Sequence, residues 1–342
     1  IMPKRFLANI MTDAPTAPDG PYQDGAASGV WSLAEALSYT KGGLWPITGN
    51  SLQLAIFVSG SGSLTNALNV TTAGNATSFG SVSPSQTGSA GAGSSTRMVI
   101  AAAASNGDTI SYLTYGTAGN TTDFGNLSVG RTGIGGGSSE TRALFMGGYS
   151  TATSPETQST TDYVTIASTG NATDFGDLNV AASEFSGTAN STRALGVGGT
   201  NAAGAKLNNI QYFTIASTGD ATDFGDRTVT GAIVGSASNS TRALMGGRDV
   251  ESNVVDYITV ASTGNASDFG DLTANKVGPS ASAGLTRAFF VGGANESASK
   301  EIDFFTIAST GNASDFGDMV ANTGGGVAAA CTVHGGTATG NP

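Results

Sequence analysis

The 342-residue chain contains one cysteine, Cys331, and one histidine, His334. A single thiol excludes a disulfide framework within the chain and any cysteine-rich metal site, and such a residue is expected as a small buried apolar filler. A single histidine leaves acid–base and nucleophilic catalysis without its usual base. Charge is scarce too: 11% of residues are charged, with 14 Lys and Arg against 25 Asp and Glu, for a net charge of −11. Phosphate contacts need clustered basic residues, so nucleic acid is not an expected partner. No apolar run reaches the roughly 18 residues of a membrane-spanning helix, so membrane insertion is not expected either.

What the chain has in abundance is glycine, 51 residues, together with Ser, Thr, Asn and Ala. This composition favours short strands joined by tight turns. The stretch YVTIASTGNATDFGDL (Tyr163 to Leu178) recurs from Tyr212, Tyr257 and Phe304, with a looser copy from Tyr112 and a degenerate one at Ala73 to Val82. Its phenylalanines, Phe79, Phe124, Phe175, Phe224, Phe269 and Phe316, lie 45 to 51 residues apart. A period of that length marks a solenoid, a propeller or an array.

Each period parses into four strands. The unit from Gly231 reads as a small-residue strand, then Thr241–Gly247, Val254–Ser262 and Ser267–Thr273. Alternation in the third strand sets Val164 and Ile166 against Tyr163 and Thr165, and the STGN link turns the chain into the fourth. Four antiparallel strands per period of about 47 residues describe a propeller blade. The fold class is therefore all-β, a propeller over residues 51–342. Six blades are favoured, with the tail supplying an inner strand to the first unit, and seven result if the segment KRFLANI near the start completes another blade.

Residues 1–50 form a separate segment, an extended proline-rich arm with one short helix. Ser32 and Glu35 make a capping box, and Gly42 and Gly43 end the helix. Trp31, Leu37 and Trp45 are the candidate anchoring residues of this arm, which either packs on the repeat domain or docks on a neighbouring subunit.

The double glycines Gly147-Gly148, Gly198-Gly199, Gly246-Gly247 and Gly292-Gly293, each followed by an aromatic and then by the repeat Phe, together with a last pair Gly335-Gly336, resemble kelch repeats. Phe stands where kelch repeats carry Trp. The wording TIASTGNATDFGDL, and the segment GVWSLAEALSYTKGGLWP, resemble segments of virion proteins of tailed bacteriophages, marine ones especially. The resemblance implies a non-enzymatic virion protein of a larger assembly. Its arm would contact other virion subunits, and its propeller loops would serve host attachment or decoration, meeting a host-surface protein or glycan. The alternative is a soluble cytoplasmic scaffold that binds a cellular protein through one propeller face.

No enzyme is expected. The five DFG triplets lack the glycine-rich and catalytic loops of a kinase, and repetition itself argues for a structural role. The copper site of kelch-like oxidases needs more His and Cys than the chain has, so no cofactor or metal is expected. Five arginines recur with the same period as the DFG aspartates. Arg97, Arg142, Arg193, Arg242 and Arg287 are therefore expected to pair with Asp123, Asp174, Asp223, Asp268 and Asp315. The loops after the double glycines vary among copies, and variable loops on rigid blades suit a binding surface. Their candidate binding residues are Tyr149, Glu156, Lys206, Arg248, Glu296 and Lys300. They are poor in aromatics, which leans toward protein over glycan contacts.

Overall fold

A computed structural model describes residues 5–7, 10–12, 53–59, 63–83, 88–103, 106–295, 297–323 and 328–332. Two compact units divide the chain, one of residues 1–52 with 339–342 and one of residues 53–338. In the first, Arg5–Leu7 and Ile10–Thr12 pair as an antiparallel hairpin. The described residues of KRFLANI, Arg5–Leu7 and Ile10, thus pair within their own unit, and among the described residues none of them pairs with a propeller strand. The predicted helix and Trp31, Leu37 and Trp45 lie outside the described residues.

The second unit is a six-bladed propeller of four-stranded antiparallel sheets. Blade 3 shows the plan, with an inner strand Gly135–Ser138, a second Arg142–Tyr149, a third Thr157–Thr165 and an outer Thr173–Asp177. Blades 2, 4, 5 and 6 span residues 90–126, 186–226, 235–271 and 280–323. Blade 1 is made from both ends of the repeat region. Its inner strand is Ala329–Cys331, and Leu54–Ser59, Leu64–Asn69 and Thr77–Ser81 follow. Ala329, Ala330 and Cys331 pair with Phe57, Ile56 and Ala55, which closes the ring. This decides for six blades, and it covers the edge of Leu54–Ser59 that would otherwise be the inner edge of blade 1.

Inner strands read AGAG, GGGS, SGTA, GSAS, SASA and AAC. Small residues are required there because six strands converge on one axis. Larger apolar residues fill the spaces between blades. Leu144, Met146 and Phe175 of blade 3, for example, pack with Phe213 and Ile215 of blade 4. Phe175 meets Tyr163 and Phe213 edge to face at 5.6 and 5.5 Å, a favourable ring geometry.

The repeated STGNA and DFG segments are two halves of one clasp between blades. At the blade 3–4 boundary, Gly219 N–H donates to Phe175 O (2.8 Å) and Ala221 N–H to Asp177 O (2.8 Å). Asp177 N–H returns a bond to Asp220 Oδ1 (2.9 Å). Asn171, Asn265, Asn312 and Asn75 accept the same bond at the 2–3, 4–5, 5–6 and 6–1 boundaries, and Asn120 accepts it from Ser81 at the 1–2 boundary. Each turn therefore covers the outer edge of the preceding blade, an edge that would otherwise offer unpaired backbone groups.

In every blade the register of third and outer strands slips by one at the Phe-Gly step, as between Thr161↔Gly176 and Asp162↔Asp174. The bulge drives Phe inward and sets Gly176 at φ 144°, where a Cβ would lie 2.4 Å from Gly219 O. Only glycine fits there without moving the next blade.

Candidate binding site at the axial funnel

The two ends of the axis differ. The STGNA turns and the short turns between inner and second strands lie on one face. On the other, the links entering the inner strands, with the loops leaving the second strands of blades 3 and 4, line a funnel of about 810 Å³. Below it the axis narrows to a channel of about 60 Å³ between the inner strands. The invariant sequence thus belongs to one face and the variable loops to the funnel face.

The five repeated arginines do not meet the DFG aspartates. Among the described residues no ion pair joins the two sets. Each guanidinium lies over an aromatic ring of its own blade, at 4.8 Å for Arg97 on Tyr112, 5.1 Å for Arg142 on Tyr163, 4.5 Å for Arg193 on Tyr212, 4.9 Å for Arg242 on Tyr257 and 5.2 Å for Arg287 on Phe304. Each also donates to backbone carbonyls of the next blade, as Arg142 does to Ile215 O and Ala216 O (3.0 Å each). Arg287 reaches Thr71 O (2.9 Å) and so spans the blade 6–1 boundary. Asp123, Asp174, Asp223, Asp268 and Asp315 are exposed. Pleating explains the difference, because each following Phe points into the core and turns its Asp to water.

The buried ion pairs are others. Arg131 Nη2 lies 3.0 Å from Asp162 Oδ2, Arg227 Nε 3.3 Å from Asp256 Oδ2, and Lys276 Nζ 3.1 Å from Asp303 Oδ2. Burial pushes the Arg131 and Arg227 guanidiniums below their ordinary range, while Asp162 and Asp256 hold them charged. The three aspartates share one third-strand register position, opposite the DFG aspartate. In the other blades this position is uncharged: Asn66, Ser111 and Gln211. Gln211 bonds the link backbone at Val180 N–H (3.2 Å) and Val180 O (3.0 Å), with Ala182 where blade 3 has Arg131. These pairs anchor the links that enter the inner strands, and those links form the funnel wall.

On that wall Tyr149 O–H donates to Glu156 Oε2 (2.6 Å), and both residues line the funnel. This bond raises the Tyr149 phenol above its ordinary pKa. Lys206 Nζ lies 3.5 Å from Glu184 Oε2 and 3.6 Å from Asp249 Oδ2, and donates to Thr200 Oγ1 (2.9 Å). Arg248 bonds Thr230 O at 3.4 Å beside this group. Lys300 instead pairs with Asp318 on the outer strand of blade 6 (3.0 Å), and Glu296 lies outside the described residues.

No protein-family model matches the chain, and no curated protein matches it. Its chemistry is therefore read from its own residues. Among the described residues no three of His, Cys, Asp and Glu converge as metal ligands would. Three lining residues, Glu184, Phe185 and Ile233, sit on links into the inner strands, outside the loops that sequence variation singles out. An alignment of the six links, with glycine at most of the positions equivalent to Glu184, carries the signal that finds them.

Proposed function

We propose that the chain is a non-enzymatic, kelch-like binding propeller of a bacteriophage particle. Its N-terminal 50 residues hold it to neighbouring virion subunits, and the funnel face is turned outward for host attachment or particle decoration. One observation supports the binding surface above all: the invariant repeat forms the interblade clasps, while variable loops of blades 3 and 4 line an open cavity of about 810 Å³. A rigid ring carrying variable loops around a concavity is a common form of binding site. The kelch-like character and the virion setting rest on the resemblance of the double-glycine, TIASTGNATDFGDL and GVWSLAEALSYTKGGLWP segments.

Immunogold labelling of purified particles with an antibody to the funnel-face loops tests the proposal. Gold on intact particles is expected. Particles that carry no label, with the protein free in the host cytosol, would replace the virion reading by that of a soluble scaffold.

A further inference from the structure

Two blades depart from a backbone rule that the others keep. Two residues before the inner strand, the chain has positive φ in five blades: Gly88 (68°), Gly133 (65°), Glu184 (53°), Ile233 (53°) and Gly278 (61°). Glycine takes this conformation freely, whereas a β-branched residue is a genuine outlier in it. Blades 4 and 5 nevertheless carry Glu and Ile, and the neighbouring glycines make room for them. A Cβ on Gly133 would lie 2.9 Å from Glu184 N, and one on Gly278 would lie 2.6 Å from Ile233 Cγ2. The two residues are joined directly, since Ile233 N–H donates to Glu184 O (2.6 Å). Both line the funnel beside Phe185.

The lining has charge of one sign. Glu156 and Glu184 are its charged residues, and no Lys, Arg or His is among the described residues that form it. Ile233, partly exposed, is the apolar lining residue joined to Glu184, while the Phe185 ring is buried in the core between blades 3 and 4. The Glu184 carboxylate already accepts an ammonium group, since Lys206 lies on it from the rim. Lys206 also has Asp249 at 3.6 Å, and so keeps a partner when another cation takes Glu184.

We infer that the funnel takes a basic side chain, lysine or arginine, presented by a protein partner. Its cationic head binds at Glu184, with Glu156 as the second carboxylate of the lining, and its aliphatic stem lies on Ile233. Basic side chains combine an apolar stem with a charged tip, which is the pairing this wall offers. The inference rests on reading the funnel face as the binding surface.

Calorimetric titration of the full chain at low ionic strength tests it, with capped trilysine, capped triglutamate and maltotriose as probes. Trilysine is expected to bind. Glu184→Gln weakens it by about two- to fivefold, the range for a partly exposed charge pair. Lys206→Ala tightens it by about threefold, because a competing cation is gone. Asp268→Asn makes the same charge change as Glu184→Gln on the exposed outer strand of blade 5 and leaves binding unchanged. Equal weakening by Glu184→Gln and Asp268→Asn would mean diffuse attraction to an acidic chain and would overturn the inference. Binding of maltotriose or triglutamate in place of trilysine, lost on Ala202→Trp at the funnel rim, would overturn it while leaving the funnel reading intact. If Ala202→Trp alters the binding of no probe, both fall.

Discussion

Replacing Gly176 with Ala tests the clasp, because one methyl group is aimed at a neighbouring blade's backbone. The new Cβ would lie 2.4 Å from Gly219 O and 2.5 Å from Gly219 C, so the turn must shift or the outer strand must leave its bulge. Holding an alanine at φ near 144° costs about 1–3 kcal/mol. Displacing the turn also weakens up to three hydrogen bonds, Gly219 N to Phe175 O, Ala221 N to Asp177 O and Asp177 N to Asp220 Oδ1, each contributing about 1 kcal/mol net. The sum is a loss of about 2–5 kcal/mol, read from the urea midpoint at constant slope. Gly170→Ala, in the same motif, is the control: its Cβ meets nothing within 4 Å and its φ is not in the left-handed region. It is expected to be neutral or to stabilise by about 0.5 kcal/mol through the unfolded state. If the two variants unfold within about 0.5 kcal/mol of each other, the clasp is not what the DFG glycine serves.

Asp162→Gln leaves the buried Arg131 without its counter-charge and is expected to cost about 3–5 kcal/mol. The double change Asp162→Gln with Arg131→Ala copies the Gln211 and Ala182 arrangement of blade 4 and is expected to recover most of that loss in a urea double-mutant cycle. Removal of residues 328–342 takes away the inner strand of blade 1. Amide exchange in Leu54–Ser59 is then expected to accelerate toward that of an exposed edge, while blades 3 and 4 stay protected. Tyr149 in the folded protein should ionise above the ordinary phenol range, and Glu156→Ala should bring it back, as followed by phenolate absorbance. Because its folded pKa is raised, any stability this bond contributes is present below the unfolded tyrosine pKa and is lost as pH rises through the folded value.

The architecture was legible because it is written six times. The unit from Gly231 reads as strands at Thr241–Gly247, Val254–Ser262 and Ser267–Thr273, and the structure has Arg242–Gly246, Val254–Thr259 and Ser267–Asp271. The sequence favours six blades without excluding seven, because a three-residue strand of AAC has too little pattern to fix its partner. The match of five Arg to five Asp misled for a physical reason. Equal periodicity places residues in equivalent positions, but the side of the sheet is set by the pleat. The stacking of each Arg on a ring is a contact that charge counting does not reveal.

At the funnel, loop variation led to Tyr149, Glu156, Lys206 and Arg248, all on or beside its wall. It missed Glu184 and Ile233, since neither residue type announces positive φ. It also missed the buried Asp162, Asp256 and Asp303, whose partners enter from links that vary in length and sequence.

A cryo-EM map of the assembly that contains the protein tests the central claim most directly. The account predicts that residues 1–50 contact neighbouring subunits and that the funnel bounded by Tyr149, Glu184 and Ile233 faces outward, open to a partner. A map in which the funnel is sealed against the particle, or in which the STGNA face makes the outward contacts, would contradict it.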